Sequence, residues 1–234
     1  GSTSYRVPWL YDEESVEVLR FFTKLKCKLM PYIYTHAYLA SKKGIPVMRA
    51  MVLEFTDDPA CAYLDRQYMF GDALLVAPIF NSEGSIDYYL PEGKWTNFLS
   101  GEVVDGGRWV KENHGYLSLP LMVRSNSIIP VGSEERRPDY DYADGVDLQV
   151  FALAAGKTIR TDIYNTKNVR ELTTSVSREA DTILINVNNS GKPFTVTLRN
   201  LTGIASIQNG AFEVTAQGVK IRPAKAGDTI IVNL

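Results

Sequence analysis

Carboxylates are the most numerous chemistry-bearing groups in this chain. Asp57, Asp58, Asp65, Asp72, Asp139, Asp141 and Asp144 could be paired on paper. Acid–base cleavage of a glycosidic bond needs two carboxyls about 5–10 Å apart, flanking that bond, and sequence spacing places no two of these so. Asp57-Asp58-Pro59 reads as a turn, and the acids at 139–144 fall in a polar stretch, so structural roles are expected for all seven. His114 sits in Asn113-His114-Gly115, a hairpin tip without a second ligand nearby. His36 lies among Tyr32, Tyr34 and Tyr38 and reads as a packing or hydrogen-bonding residue. Neither histidine stands in ligand spacing with Cys27 or Cys61, which read as small buried thiols, so neither a metal site nor a cofactor is expected. Phosphate loops rich in glycine, nucleophile elbows and paired-histidine motifs are all missing. Trp95 with Phe98, and Trp109 with Tyr116, could stack on sugar rings; large aromatics also fill half-buried sheet faces.

Composition narrows the classes of function. The 234 residues are 45% hydrophobic and 22% charged, enough to bury sizeable cores in one large or two ordinary domains. The net charge of −2 gives no basic field to attract a phosphate backbone, so nucleic acid is not an expected partner. No apolar run approaches the roughly 20 residues of a membrane span, and no membrane association is expected. Two cysteines cannot build a disulfide scaffold, and a reducing, cytoplasmic compartment suits them.

The elements that must position these groups divide into a helix and a long run of strands. Asp12 can cap a helix whose first turn holds Glu13 and Glu14. Apolar side chains recur at Val18, Phe21, Phe22, Leu25, Leu29, Tyr32 and Ile33, and Lys42, Lys43, Gly44 and Pro46 mark the far end. Pro31 should kink or split this helix. Its broad apolar face needs a partner surface that the rest of the chain does not supply. From residue 46 the period becomes two, with strands expected over 47–55, 73–80, 86–90, 94–99, 116–119 and 121–124. A polar stretch over 132–147 reads as a linker or edge excursion, and nine further short strands follow it. One long helix and two antiparallel β-sandwiches, mainly β, is the expected fold.

Several phrases are more distinctive than these patterns. They are Arg6-Val7-Pro8-Trp9-Leu10-Tyr11-Asp12-Glu13-Glu14-Ser15, Leu29-Met30-Pro31-Tyr32-Ile33-Tyr34, Gly44-Ile45-Pro46-Val47-Met48-Arg49, Asp65-Arg66-Gln67-Tyr68-Met69-Phe70-Gly71-Asp72 with Leu74-Leu75-Val76-Ala77-Pro78, and Tyr89-Leu90-Pro91-Glu92-Gly93-Lys94-Trp95. In order and spacing they resemble the C-terminal third of glycoside hydrolase family 31. The opening Arg-Val-Pro-Trp, with Gly107-Arg108-Trp109 and His114-Gly115, is most similar to bacterial α-xylosidases.

The resemblance implies three parts. Residues 1–45 would be the terminal loop and last helix of a (β/α)₈ barrel, 46–126 a proximal β-sandwich and 127–234 a distal one. The barrel would cover the helix's apolar face. The family's two catalytic aspartates lie on earlier strands, so no catalytic residue is carried over. Gly1 and Ser2 would lie at the edge of the parent's substrate site. The parent is expected to be a retaining α-glycosidase acting on α-linked xylosyl or glucosyl residues of oligosaccharides, with the present chain inactive alone. Its partners would be the rest of the barrel, the oligosaccharide and further copies in a homo-oligomer. The alternative is a stand-alone carbohydrate-binding or subunit-interaction module.

Overall fold

The structure, a computed structural model, describes residues 5–189, 191–225 and 227–234. Asp12 caps the first helix as its position demands: its Oδ1 accepts from the Ser15 N–H at 2.7 Å, and α1 runs Glu13–Lys28. The helix then breaks at Leu29 (φ −83°, ψ 0°), and α2 (Met30–Lys43) begins with Pro31 in its first turn, where the missing N–H costs nothing. Pro31 thus splits the helix as expected. Gly44, at φ 70°, closes α2 by donating its N–H to the Ala40 carbonyl at 2.9 Å.

The strand expected over 47–55 lasts three residues. β1 (Met48–Ala50) gives way to a single turn, α3 (Met51–Glu54), which buries Met51 and folds Glu54 back onto Arg49 and Arg124. Then come β2 (Tyr68–Phe70), β3 (Leu74–Val76), β4 (Ser85–Leu90), β5 (Lys94–Asn97), β6 (Val103–Asp105), β7 (Arg108–Asn113) and β8 (Leu121–Arg124). A six-stranded antiparallel sheet has the order β1-β2-β3-β8-β5-β6, and β4 pairs with β7 as a ribbon. Alternation divides this sheet between two cores. Met69, Leu75, Met122 and Trp95 pack on the ribbon's Tyr88 and Leu90. Leu74, Val76, Leu121 and Val123 pack on Leu29 and Tyr32 at the helix junction. Burial on both faces explains the unbroken run Leu74-Leu75-Val76-Ala77. The strand expected at 116–119 is a turn, because Ser118 donates its N–H back to Gly115 and Pro120 follows without one to give.

The remaining strands form a sandwich: β9 (Ser127–Val131), β10 (Val146–Phe151), β11 (Lys157–Tyr164), β12 (Arg170–Glu179), β13 (Thr182–Asn188), β14 (Phe194–Arg199), β15 (Ser206–Gln208), β16 (Gly210–Thr215), β17 (Gly218–Pro223) and β18 (Ile230–Asn233). Two five-stranded sheets, ordered β16-β17-β14-β10-β9 and β11-β12-β13-β18-β15, face each other across Leu148, Ile163, Val176, Ile185, Val196, Ile221 and Val232. Pairing is antiparallel except where β10 meets β14. Those two run parallel, from Val146↔Phe194 to Val150↔Leu198, because the chain crosses to the other sheet and back between them. The expectation of wholly antiparallel sheets is corrected to that extent.

The polar stretch over 132–147 is not a solvated linker. Tyr142 and Ala143 are buried in the sandwich core, the Tyr140 hydroxyl donates to the Cys27 carbonyl at 2.7 Å, and the Gly132 N–H donates to Lys28 at 2.7 Å. Two tyrosines in a charged stretch make it a strap, tying α1's end to the sandwich.

Candidate functional site

A polar cluster lies where α2 meets β1, β2 and β3, with His36 and Arg49 buried and Asp72 at its solvent edge. Tyr32 and His36, four apart, share one helix face, their rings 4.4 Å apart. The Tyr32 hydroxyl donates to the Phe70 carbonyl at 2.7 Å and accepts from the Ala73 N–H at 3.0 Å. His36 Nε2 lies 3.1 Å from Asp72 Oδ1 and its Nδ1 3.5 Å from the Arg49 guanidinium. Arg49 pairs with Glu54, which also meets Arg124 at 3.4 Å. Gly71 (φ 66°) lets the turn run beneath these rings; a Cβ there would stand 2.3 Å from the Tyr32 hydroxyl. Burial works to raise the Asp72 pKa, yet the hydrogen bond and charge of His36, with Arg124 and Arg49, hold it down at about 2. Burial pushes the Tyr32 phenol well up, and the Asp72 charge adds to that. The cluster's groups are spent on one another, which suits clamping a helix to a sheet rather than turning over a substrate. His36 is the packing and hydrogen-bonding residue expected.

The other candidates resolve one by one. Asp58 accepts from the Ala60 N–H at 3.0 Å and the Tyr89 hydroxyl at 3.0 Å, so its turn role holds. Asp141 pairs with Lys192 at 2.7 Å. Burial works against ionisation at Asp72 and Asp141, but both are held below the ordinary carboxylate range. Asp12, Glu83, Asp105 and Glu135 are held there by hydrogen bonds from Ser15, Ser82, Lys94 and Lys24. A general acid needs the opposite displacement. His114 is braced between Glu112 (2.8 Å) and Ser118 (3.0 Å). Cys27 and Cys61 are buried and unpaired, and burial with the Asp58 charge pushes the Cys61 thiol up to about 11. Among the described residues no group of three or more His, Cys, Asp or Glu could hold a metal ion, and no helix is long and apolar enough to cross a membrane.

The aromatic pairs are not sugar platforms as paired. Trp95 and Phe98 belong to the core; the Trp95 indole N–H donates to the Pro91 carbonyl at 2.8 Å. Trp109 is exposed but stands over Tyr89, 5.8 Å away, whereas Tyr116 lines a different cleft with Phe22. Gly1 and Ser2 lie outside the described residues.

What remains open is a surface. Trp9, Leu10, Tyr11, Leu19 and Phe21, on α1 and the short 3₁₀ turn before it, are all exposed. Beside them Phe22 and Tyr116 line two clefts of about 570 and 340 Å³. So much exposed apolar surface on one helix and its lead-in needs covering.

Three family models match the chain in succession. They are the glycosyl hydrolases family 31 TIM-barrel domain over residues 1–36, the glycosyl hydrolase family 31 C-terminal domain over 44–129, and the C-terminal domain of alpha-xylosidase YicI over 141–234. Alpha-xylosidase XylQ of Lactiplantibacillus pentosus is 46% identical over 160 residues, which is 67% of this chain and 21% of that protein. An alpha-xylosidase of Emericella nidulans is 40% identical over 158 residues, 64% of this chain and 20% of that protein. The solved GH31 dextranase of Flavobacterium johnsoniae superposes with a TM-score of 0.86 at 21% identity, covering 100% of this chain and 34% of that one. The chain therefore spans about a fifth of the length of the curated relatives it matches. With its start matched to a barrel end and its two β units to the C-terminal domains, the chain belongs to glycoside hydrolase family 31.

Proposed function

We propose that the polypeptide carrying these residues is a retaining α-xylosidase, and that this chain is its non-catalytic support. The carrying observation is α1. The segment that matches a barrel end leaves Trp9, Leu10, Tyr11, Leu19 and Phe21 exposed among the described residues, while α2 is fixed to both β units. A (β/α)₈ barrel packed on α1 would be held at a set position against the two β units, and barrel active sites lie at the C-terminal ends of the strands. Likeness to two α-xylosidases supports xylosides over glucosides as substrate. One aspartate of the barrel would form the covalent glycosyl intermediate and a second would act as acid and then base. Unpaired thiols at Cys27 and Cys61 support a cytoplasmic location.

The test is hydrolysis of p-nitrophenyl α-xyloside and α-glucoside by the full-length polypeptide and by the 234-residue chain. The expected result is at least tenfold higher kcat/KM for the xyloside, release of the α-anomer first, and no turnover by the chain alone. A preference for the glucoside would overturn the substrate reading. Turnover by the isolated chain would overturn its assignment as a support.

A further inference from the structure

The two ends of the C-terminal sandwich are treated differently. At one end α2 packs against the edge strands β9 and β11, and β9 contains Pro130, which has no N–H to offer. At the other end β15 and β16 are the edge strands, and no described element covers them. β15 is three residues long, with Ser206 and Gln208 exposed, which is one ordinary way to blunt an edge. β16 has six residues, contains neither Pro nor Lys, and is exposed from Ala211 to Val214.

The register of its hairpin decides what that edge offers. Thr215 pairs with Gly218 across the two-residue turn Ala216-Gln217, so Thr215, Glu213 and Ala211 spend their backbone groups on β17. Gly210, Phe212 and Val214 then turn their N–H and C=O groups outward. Their side chains follow the core face: Phe212 lies opposite Ile221 and Val214 opposite Val219, both fully buried. Phe212 and Val214 nevertheless stand 42% and 57% exposed, so the core's apolar face runs past the opposing sheet and ends in solvent.

We propose that this edge pairs antiparallel with β16 of a second copy about a two-fold axis at Phe212, joining two sandwiches through one continuous sheet. One register fits. With Phe212 opposite Phe212 of the second copy, Gly210 falls opposite Val214 on both sides, and every outward backbone group gains a partner. The rings of Phe212 meet at the axis and lose their exposure. Glu213 faces Ala211 rather than its own copy and is already held by Arg222 at 2.8 Å, so no like charges meet. A surface complementary to itself gives a closed two-fold pair, which is why a second copy is the occupant assigned.

The full-length polypeptide is the material for the test, since an uncovered α1 could associate by itself. Hydrogen-bonded antiparallel pairs hold their Cα atoms about 5.5 Å apart, within disulfide reach. Mild oxidation of Phe212→Cys should therefore give a covalent dimer on a non-reducing gel that wild type treated in the same way does not give; Cys27 and Cys61 are buried and do not compete for the cross-link. Val214→Pro removes an outward N–H and spares the ladder to β17; Phe212→Asp leaves the backbone untouched. Both should keep the wild-type circular-dichroism spectrum and weaken self-association at least tenfold by sedimentation velocity. Failure of Phe212→Cys to cross-link, or wild-type sedimentation of both other variants, would overturn the proposal.

Discussion

Helix α1 buries one residue, Cys27, whereas α2, a single residue further on, buries Pro31, Tyr32, Thr35 and His36. Tyr32 and His36 reach the first β unit through Phe70, Ala73 and Asp72, and Tyr34 and Tyr38 reach the second through Asn168 and Tyr164. Both helices are amphipathic, so pattern alone does not separate them. Their partners do. α2 is a bolt between two β units, and α1 is held at its C-terminal end by the strap at Gly132 and Tyr140, packs Leu25 on the core and leaves Leu19 and Phe21 exposed. A helical stripe therefore reports that a helix needs a partner, not where the partner is.

The comparison breaks if α2 can be loosened cheaply. Tyr32→Ala removes a buried ring and two hydrogen bonds, and should cost about 3–5 kcal/mol by urea denaturation. A cost below about 1 kcal/mol would mean α2 is not the anchor. Gly71→Ala forces a Cβ into the Tyr32 hydroxyl at a left-handed φ and should cost about 1–3 kcal/mol. A neutral result would mean that the turn and the rings can move apart.

The ion pair under α2 sharpens the same contrast through pH. Asp72 is held down at about 2 against the effect of burial. A carboxyl depressed in the fold stabilises it above the unfolded value of about 3.9 and loses that contribution as pH falls through the folded value. The stability advantage of wild type over Asp72→Asn should thus shrink as pH falls from about 4 to about 2. An advantage that is flat through that range would remove the pair from the anchor. On α1 the effect should be smallest: Leu19→Glu in the 234-residue chain should change stability by no more than about 0.5 kcal/mol, and in the full-length polypeptide by clearly more. Equal effects in both would mean that nothing covers α1.

Much of this organisation was legible in the residues. Asp12, Pro31 and Gly44 announced the ends and the break of the helices because capping and ring geometry are local. The nine sandwich strands from β10 to β18 followed from alternation, whereas β9 did not. Glycines and short motifs carried the family resemblance, and with it the reason for the unpartnered stripe. Legibility failed where distant partners decide. Met51–Glu54 turns helical so that Glu54 can return to Arg49 and Arg124. Tyr140 and Tyr142 looked like part of a solvated run because their partners, Cys27 and the sandwich core, lie elsewhere in sequence. In the His36 cluster, Tyr32 and His36 at i and i+4 were visible as a helix face; Arg49 and Asp72 join them only in the fold. Nothing local marks Trp95 as core and Trp109 as surface.

Hydrogen exchange of the full-length polypeptide and of the 234-residue chain tests the division of labour most directly. The account predicts that α2 is equally protected in both, while α1 exchanges at least tenfold faster in the chain alone. Protection of α1 that does not depend on the rest of the polypeptide would contradict it.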